Sequence, residues 1–135
     1  MADNTDSVAT GKTILLAEDD PFISRMYQVK LSGAGYTVIL KTNGREAYEA
    51  IKADKPSLIM LDINMPELSG LEVLTALAGD NFDFSTTPTI VLTNSSSVDD
   101  RKKAEQYGAD YLVKAELTPR QVLDLIDAKL GLTHD

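Results

Sequence analysis

The chain has 135 residues, 43% of them hydrophobic, and a formal net charge of −8, which suits one globular domain of ordinary size. The negative charge repels a phosphate backbone, so we expect no direct binding to nucleic acid. There is no cysteine, which excludes disulfides and thiolate metal sites, and the apolar runs are much shorter than the roughly 20 residues of a membrane span. We therefore expect a soluble, cytoplasmic protein without membrane contact, acting as a monomer.

Short apolar runs alternate with amphipathic segments along the chain. The apolar runs predict strands over Thr13–Ala17, Tyr36–Lys41, Leu58–Leu61, Thr89–Leu92 and Tyr111–Val113. The amphipathic segments predict helices over 21–33, Gly44–Ala53, Leu68–Leu77, Val98–Tyr107 and Thr118–Leu130. Alternating strands and helices favour a parallel five-stranded sheet covered on both faces, a doubly wound (βα)₅ α/β sandwich of the flavodoxin-like kind.

The pattern predicts one domain over residues 13–131, with a disordered N-terminal tail over 1–12 and a short C-terminal tail over 132–135. Helical spacing also predicts which side chains face the core. In the first helix these include Met26 and Tyr27, and in the third they include Leu71 and Leu74.

Polar residues follow the predicted strands at the point where each strand ends. Three acidic residues, Glu18, Asp19 and Asp20, come after the first strand, Asp62 after the third, Thr93 after the fourth and Lys114 after the fifth. Ligand sites in such folds form at the carboxyl ends of the strands, where these side chains meet. Several carboxylates in one crevice favour a bound hard cation such as Mg²⁺ or Mn²⁺.

The same residues suggest a phosphoryl-transfer chemistry. A carboxylate beside a cation can attack phosphorus and form an aspartyl phosphate. Lys114 and the Thr93 hydroxyl can then pair with phosphoryl oxygens. Taken singly, each residue is more readily explained as a helix cap, a turn residue or a solvated charge. Their coincidence at one edge of the sheet favours a functional site.

The chain resembles the receiver domains of two-component response regulators over about Thr13 to Gly131. The resemblance lies in Ile14 to Asp20 as the acidic motif, Leu61 to Gly70 as the phospho-acceptor motif, Val91 to Thr93 as the switch hydroxyl, and Gly108 to Lys114 as the motif with the switch aromatic residue and the lysine. Such domains have the strand order 2-1-3-4-5, and the resemblance implies the same order for this chain.

The resemblance also implies individual roles. Asp62 is the phosphorylated residue, and the metal ligands are Glu18, Asp19, Asp62 and the backbone carbonyl of Asn64. Asp20 replaces Glu18 in this set if the first strand ends one residue later. Thr93 and Lys114 stabilise the phosphoryl group. Thr93 and Tyr111 form the switch, in which Tyr111 turns inward on phosphorylation and remodels the surface of the fourth helix, fifth strand and fifth helix.

Two positions depart from the pattern of the family. Ala115 stands where a proline in a cis peptide usually follows the lysine, and Asn94 stands where a small residue usually follows the switch threonine. A cis bond without proline costs about 3 to 4 kcal/mol, so we predict a trans bond between Lys114 and Ala115. Asn94 bears on the rate of phosphoryl turnover.

The resemblance implies a single-domain response regulator rather than an enzyme with steady turnover. Its phosphodonor is a histidine kinase or a histidine phosphotransfer protein, and its output is a downstream effector protein. A flavin carrier of the same fold needs a Gly, Ser and Thr loop after the first strand, and a haloacid-dehalogenase phosphatase needs a second carboxylate at Asn64. The remaining alternative is a pseudo-receiver that binds partners without phosphorylation.

Overall fold

The computed structural model describes residues 9–132, which form five strands and five α-helices in strict alternation. The strands are β1 (Thr13–Ala17), β2 (Thr37–Lys41), β3 (Leu58–Leu61), β4 (Thr89–Thr93) and β5 (Asp110–Val113). The helices are α1 (Pro21–Gly33), α2 (Gly44–Asp54), α3 (Gly70–Gly79), α4 (Val98–Gln106) and α5 (Pro119–Lys129). Within residues 9–132, no helix has both the length and the apolar character that crossing a bilayer requires.

The five strands form one parallel sheet in the order β2-β1-β3-β4-β5, which confirms the predicted fold and strand order. The register aligns the carboxyl ends of neighbouring strands. Ala17 pairs with Leu61 across β1 and β3, and Thr93 pairs with Val113 across β4 and β5. The residues that follow these strands are therefore brought to one edge of the sheet.

Side chains of the sheet alternate between two apolar layers. Leu15 and Ala17 pack with α2, α3 and α4 on one face, whereas Ile14 and Leu16 pack with α1 and α5 on the other. Every residue of β3 and β4 is buried, as expected for parallel strands that are covered on both sides. This double cover keeps the central strands rigid beneath the site.

The core-facing side of two helices differs from the prediction. In α1 the buried residues are Ser24, Tyr27 and Leu31, so Tyr27 is confirmed, but Met26 is 36% exposed and its assignment to the core was wrong. The buried stripe follows a spacing of three and four residues, and Met26 lies one position away from it. In α3, Leu71 is only partly buried and packs at the margin of the core.

The third helix begins later than predicted because a capping box fixes its start. The Ser69 hydroxyl accepts a hydrogen bond from the Glu72 backbone N–H at 3.1 Å, and the Glu72 carboxylate accepts one from the Ser69 N–H at 2.8 Å. Gly70 is therefore the first helical residue, and Leu68 belongs to the loop after β3. That loop packs against the start of α2, where the Gly44 N–H donates to the Pro66 carbonyl at 3.2 Å.

Part of the predicted N-terminal tail contacts the domain. The Thr10 N–H donates to the Gly35 carbonyl at 3.0 Å, and the Lys12 carbonyl accepts from the Thr37 N–H at 3.1 Å. At the other end, the Leu132 N–H donates to the Asp127 carbonyl at 2.8 Å. The rest of both predicted tails, residues 1–8 and 133–135, lies outside the described residues.

Replacement of Gly44 by alanine tests the close approach between α2 and the loop after β3. A Cβ atom on Gly44 falls 1.9 Å from the Leu68 carbonyl oxygen, so one backbone segment must move. We expect Gly44→Ala to lower the free energy of unfolding by about 1 to 3 kcal/mol. Urea unfolding of the purified chain measures this change.

Gly33→Ala is the matched control, because a Cβ atom there meets nothing within 4 Å. This substitution should raise the free energy of unfolding by about 0.4 to 1 kcal/mol, because alanine lowers the conformational entropy of the unfolded chain. Equal effects of the two substitutions would contradict the assigned contact.

Candidate functional site

The acidic segment after β1 divides into two parts with different tasks. Glu18 extends the pairing with β2, because its N–H donates to the Lys41 carbonyl at 3.0 Å. Its carboxylate is buried and accepts a hydrogen bond from the Asp20 N–H at 3.1 Å. The Asp20 carboxylate instead caps α1, accepting from the N–H groups of Phe22 at 2.9 Å and Ile23 at 3.2 Å.

Three carboxylates meet at the carboxyl edge of the sheet. Glu18, Asp19 and Asp62 each contribute an oxygen, and these oxygens lie within 4.8 Å of one another. Glu18 and Asp62 are buried, whereas Asp19 is exposed. The structure therefore brings the predicted pair Glu18 and Asp19 to Asp62 and leaves Asp20 on the helix terminus.

Asp62 is held by the backbone on both sides. Its N–H donates to the Ala17 carbonyl at 3.0 Å, and its Oδ1 accepts a hydrogen bond from the Ile63 N–H at 2.7 Å. A Cβ atom on Gly70 would lie 2.2 Å from the Asp62 carbonyl oxygen, so α3 starts directly against this residue. The Asp62 side chain consequently has little freedom to move away from Glu18.

Lys114 supplies the positive charge of the cluster. It follows β5, and its ammonium lies 2.6 Å from Glu18 Oε1 and 3.2 Å from Asp62 Oδ2. The peptide bond from Lys114 to Ala115 is trans, as predicted, because the described part of the chain contains no cis bond. A short 3₁₀ turn over Lys114–Glu116 carries the chain onward to α5.

Burial and charge shift the ionisation of this cluster. Burial raises the pKa of Glu18, and repulsion from Asp62 adds to the rise, although the hydrogen bond from Lys114 opposes both. Burial by itself lowers the pKa of Lys114, but its hydrogen bond to Glu18 and the charge of Asp62 outweigh burial, so that pKa lies above its ordinary value. The ammonium thus stays charged and partly compensates the carboxylates.

The two predicted switch residues meet through Ser95. Thr93 is fully buried, and its hydroxyl accepts a hydrogen bond from the Ser95 N–H at 3.3 Å. The Tyr111 hydroxyl donates to the Ser95 carbonyl at 2.7 Å, while the Arg101 guanidinium lies 4.8 Å from the centre of the Tyr111 ring. The loop between β4 and α4 therefore joins Thr93 to Tyr111.

Tyr111 already faces inward in this structure, with 4% of its surface exposed. The Ser95 carbonyl and Arg101 hold the ring in this position, and a turn of Tyr111 on phosphorylation stays a prediction. Sequence reasoning also missed Ser95 itself. It stands among three consecutive serines, and nothing in the sequence separates the one that contacts Tyr111 from its neighbours.

An open cleft of about 280 Å³ gives access to the cluster. Besides the acidic residues and Lys114, its lining includes Ile23, Asn64 and Asn94. Asn64 lies where a backbone ligand was predicted, and Asn94 places an amide at the rim in the position usually held by a small residue. The cleft is therefore lined mainly by polar and charged side chains, with Ile23 as its apolar member.

The residues present fit a hard divalent cation. Oxygen atoms of Glu18, Asp19 and Asp62 converge within a distance that one ion can bridge. Mg²⁺ takes one or two carboxylates together with waters and phosphate oxygens, and the open cleft leaves space for those ligands. These residues would hold Mg²⁺, or Mn²⁺ of similar ligand preference.

Comparison with known proteins identifies the family. The model of the response regulator receiver domain matches residues 14–127. The chain belongs to this family. A receiver domain protein described as CheY-like, from Methanospirillum hungatei, has a solved structure that matches with a TM-score of 0.79 and 26% identity, covering 89% of this chain and 94% of that one.

Curated relatives differ in length. The transcriptional regulatory protein YkoG of Bacillus subtilis is 41% identical over 102 residues, which cover 75% of this chain and 43% of YkoG. The polar-differentiation response regulator DivK of Brucella anthropi is 28% identical over 120 residues, covering 89% of this chain and 97% of DivK. The chain thus spans about half the length of most of the curated relatives it matches.

Replacement of Asp19 by asparagine tests the acidic cluster. Without metal, Asp19→Asn should raise the midpoint of thermal unfolding, because it removes one of three mutually repelling carboxylates. Mg²⁺ at 100 times its dissociation constant should stabilise the native chain by about 2.7 kcal/mol. The variant should bind Mg²⁺ about tenfold more weakly, so at the same Mg²⁺ concentration it should keep only about 1.4 kcal/mol of that gain.

Asp54→Asn is the matched control for this experiment. Asp54 is exposed at the end of α2, before β3 begins, and so lies towards the opposite edge of the sheet. The substitution removes the same charge as Asp19→Asn but should leave the stabilisation by Mg²⁺ unchanged. An equal loss in both variants would show that net charge, not the cluster, determines the response.

Proposed function

We propose that this chain is a phospho-acceptor response regulator that takes a phosphoryl group on Asp62 in a Mg²⁺-dependent reaction and signals to a partner protein in trans. The observation that carries the proposal is the position of Asp62. Its carboxylate lines an open cleft beside the Lys114 ammonium and the acidic pair Glu18 and Asp19.

The proposed reaction transfers phosphorus from nitrogen to oxygen. An Asp62 carboxylate oxygen attacks the phosphorus of a phosphohistidine, forming a P–O bond while the P–N bond breaks. The leaving imidazole nitrogen keeps the bonding electron pair and takes up a proton from solvent. Later attack by water on the phosphorus releases phosphate and restores Asp62. The chain thereby acts as a stoichiometric acceptor and not as an enzyme that turns over a separate substrate.

The side chains around Asp62 have complementary tasks in this scheme. The Lys114 ammonium holds the carboxylate in position before transfer and pairs with a phosphoryl oxygen afterwards. The Thr93 hydroxyl donates to another phosphoryl oxygen. A cation held by Glu18, Asp19, Asp62 and the Asn64 carbonyl would supply positive charge that reduces the repulsion between the phosphoryl oxygens and the attacking carboxylate.

An apolar stripe on α1 supports a protein as the phosphodonor. Phe22, Met26 and Val29 are spaced by four and three residues, so they share one face of the helix, and they are 80%, 36% and 62% exposed. Asp20 lines the cleft, and Phe22 follows it by two residues in the first turn of α1. This stripe is suited to contact a histidine kinase or phosphotransfer protein while its histidine reaches Asp62.

The proposed output begins at the hydrogen bond between Thr93 and Ser95. When the Thr93 hydroxyl moves to the phosphoryl group, it releases the Ser95 N–H and loosens the loop before α4. The helix α4 is weakly anchored, since Ala104 is its one buried residue and Val98 is 65% exposed. Release of the loop therefore shifts α4 and the surface it forms with β5 and α5, on which an effector protein acts.

Asp62→Asn tests the acceptor directly. The substitution removes the nucleophilic carboxylate with little change in volume, so it should abolish phosphorylation and preserve the fold. Incubation with a small phosphodonor such as acetyl phosphate and Mg²⁺, followed by mass spectrometry, should show one acid-labile phosphoryl group on the native chain and none on the variant.

Asp54→Asn should gain that phosphoryl group to the native extent. A native chain that gains none would be a pseudo-receiver, and an unchanged mass increase in Asp62→Asn would place the acceptor at another residue.

Thr93→Ala separates phosphorylation from its output. The chemistry needs Asp62 and the cation, whereas the relay needs the hydroxyl, so the variant should accept phosphate but show smaller phosphorylation-induced NMR shift changes at Tyr111 and along α4. Thr93→Ser keeps the hydroxyl and should retain most of the native changes. Native-sized changes in Thr93→Ala would exclude the relay.

A further inference from the structure

A second cavity, of about 370 Å³, lies at the amino-terminal edge of the sheet, away from the acidic cleft. Its walls are the last turns of α2 and α3 and the loop over residues 80–88 that leads into β4. This volume falls in the range of small-molecule sites. None of its lining residues belongs to the phosphorylation machinery, so the proposed function leaves this cavity unexplained.

The loop that forms one wall is held in a single conformation. The Phe82 N–H donates to the Leu77 carbonyl at 3.0 Å, which ties the start of the loop to α3. The Asp83 carboxylate accepts from the Ser85 N–H at 2.9 Å and from the Ser85 hydroxyl at 2.5 Å. These bonds fix the loop backbone beside the cavity.

Aromatic packing holds the Phe82 side chain from behind. The Phe82 and Phe84 rings meet edge to face, with their centres 5.0 Å apart, and Phe84 packs on Tyr107 at 5.7 Å. The Tyr107 hydroxyl lies 3.0 Å from the Thr75 hydroxyl of α3. The cavity is therefore preformed, and a ligand need not order its walls before it binds.

The apolar part of the lining is concentrated on one side. Phe82 is half-buried there, with Ile51 and Leu77 fully buried behind it. A flat or linear apolar group against this side would remove exposed aromatic surface from water. The lining thus favours a ligand with an apolar body.

Two lysines and two aspartates line the cavity, so their formal charges balance. The Lys52 ammonium is paired with Asp80 at 3.0 Å, and Asp83 is occupied by its bonds to Ser85. Lys55 has a left-handed backbone (φ 48°) at the end of α2, and its ammonium has no ion pair among residues 9–132. A ligand carboxylate would give the Lys55 ammonium a partner without displacing an existing contact of the lining.

We propose that this cavity binds a small amphipathic monocarboxylate, an aryl or short acyl carboxylate. Its apolar body packs on Phe82, and its carboxylate pairs with the Lys55 ammonium. The overall charge of −8 disfavours unspecific binding of anions to this chain. A bound carboxylate therefore needs a local positive charge, which Lys55 supplies at this cavity.

An NMR titration of the full chain tests the site, with 1-naphthoate as the probe and its neutral amide, 1-naphthamide, as the matched ligand. Naphthoate should cause saturable amide shifts at Lys55 and Phe82, and naphthamide should bind about fivefold more weakly, as expected for loss of one exposed charge pair. Lys55→Gln should weaken naphthoate about fivefold and leave naphthamide unchanged. Lys102→Gln, which removes an exposed charge on α4, should change neither.

The absence of saturable shifts near Phe82 up to the solubility limit would overturn the site. Equal binding of both probes, or equal weakening by Lys55→Gln and Lys102→Gln, would overturn its preference for a carboxylate. The titration uses the unphosphorylated chain, so its outcome is independent of whether Asp62 accepts phosphate.

Discussion

The confinement of like charges at one edge of the sheet is the constraint on which the functional part of this structure depends. Glu18 and Asp62 are buried with carboxylate oxygens within 4.8 Å of one another, and two negative charges at that distance repel by roughly 3 to 4 kcal/mol at an effective dielectric constant near 20. Lys114 contacts both and offsets part of this repulsion. A site that retains excess negative charge is suited to bind a cation.

The backbone keeps these charges together. Pairing between β1 and β3 fixes the distance between Glu18 and Asp62. The backbone of Gly70, at the start of α3, packs directly against Asp62 and prevents its backbone from moving away from Glu18. The loop after β3 also packs closely against Gly44 at the start of α2. In this loop Glu67 has a left-handed backbone conformation, with φ 68°. A left-handed non-glycine residue persists only where its surroundings determine it, and here they include the ion pair with Arg45 at 2.7 Å.

The rest of the molecule is anchored unevenly. The strands beneath the site are buried on both faces, whereas α4 is attached chiefly through Ala104 and the contacts of Tyr107. This uneven anchoring is the basis of the proposed output, in which a change at Asp62 shifts α4. Tyr107 also packs on Phe84, which supports the aromatic wall of the second cavity. The end of α4 and that cavity wall therefore share Tyr107 as a common contact.

The sequence by itself determined the alternation of strands and helices and the positions of Asp62, Lys114 and the acidic segment at strand ends, because apolar runs and the residues that interrupt them are local signals. Only the tertiary structure decided that Asp20 caps α1 while Asp19 joins the cluster, since the two carboxylates are chemically alike and adjacent in the chain. It also decided the inward position of Tyr111, which depends on a Ser95 carbonyl sixteen residues away. Contacts between distant segments, and not local spacing, select among chemically similar neighbours.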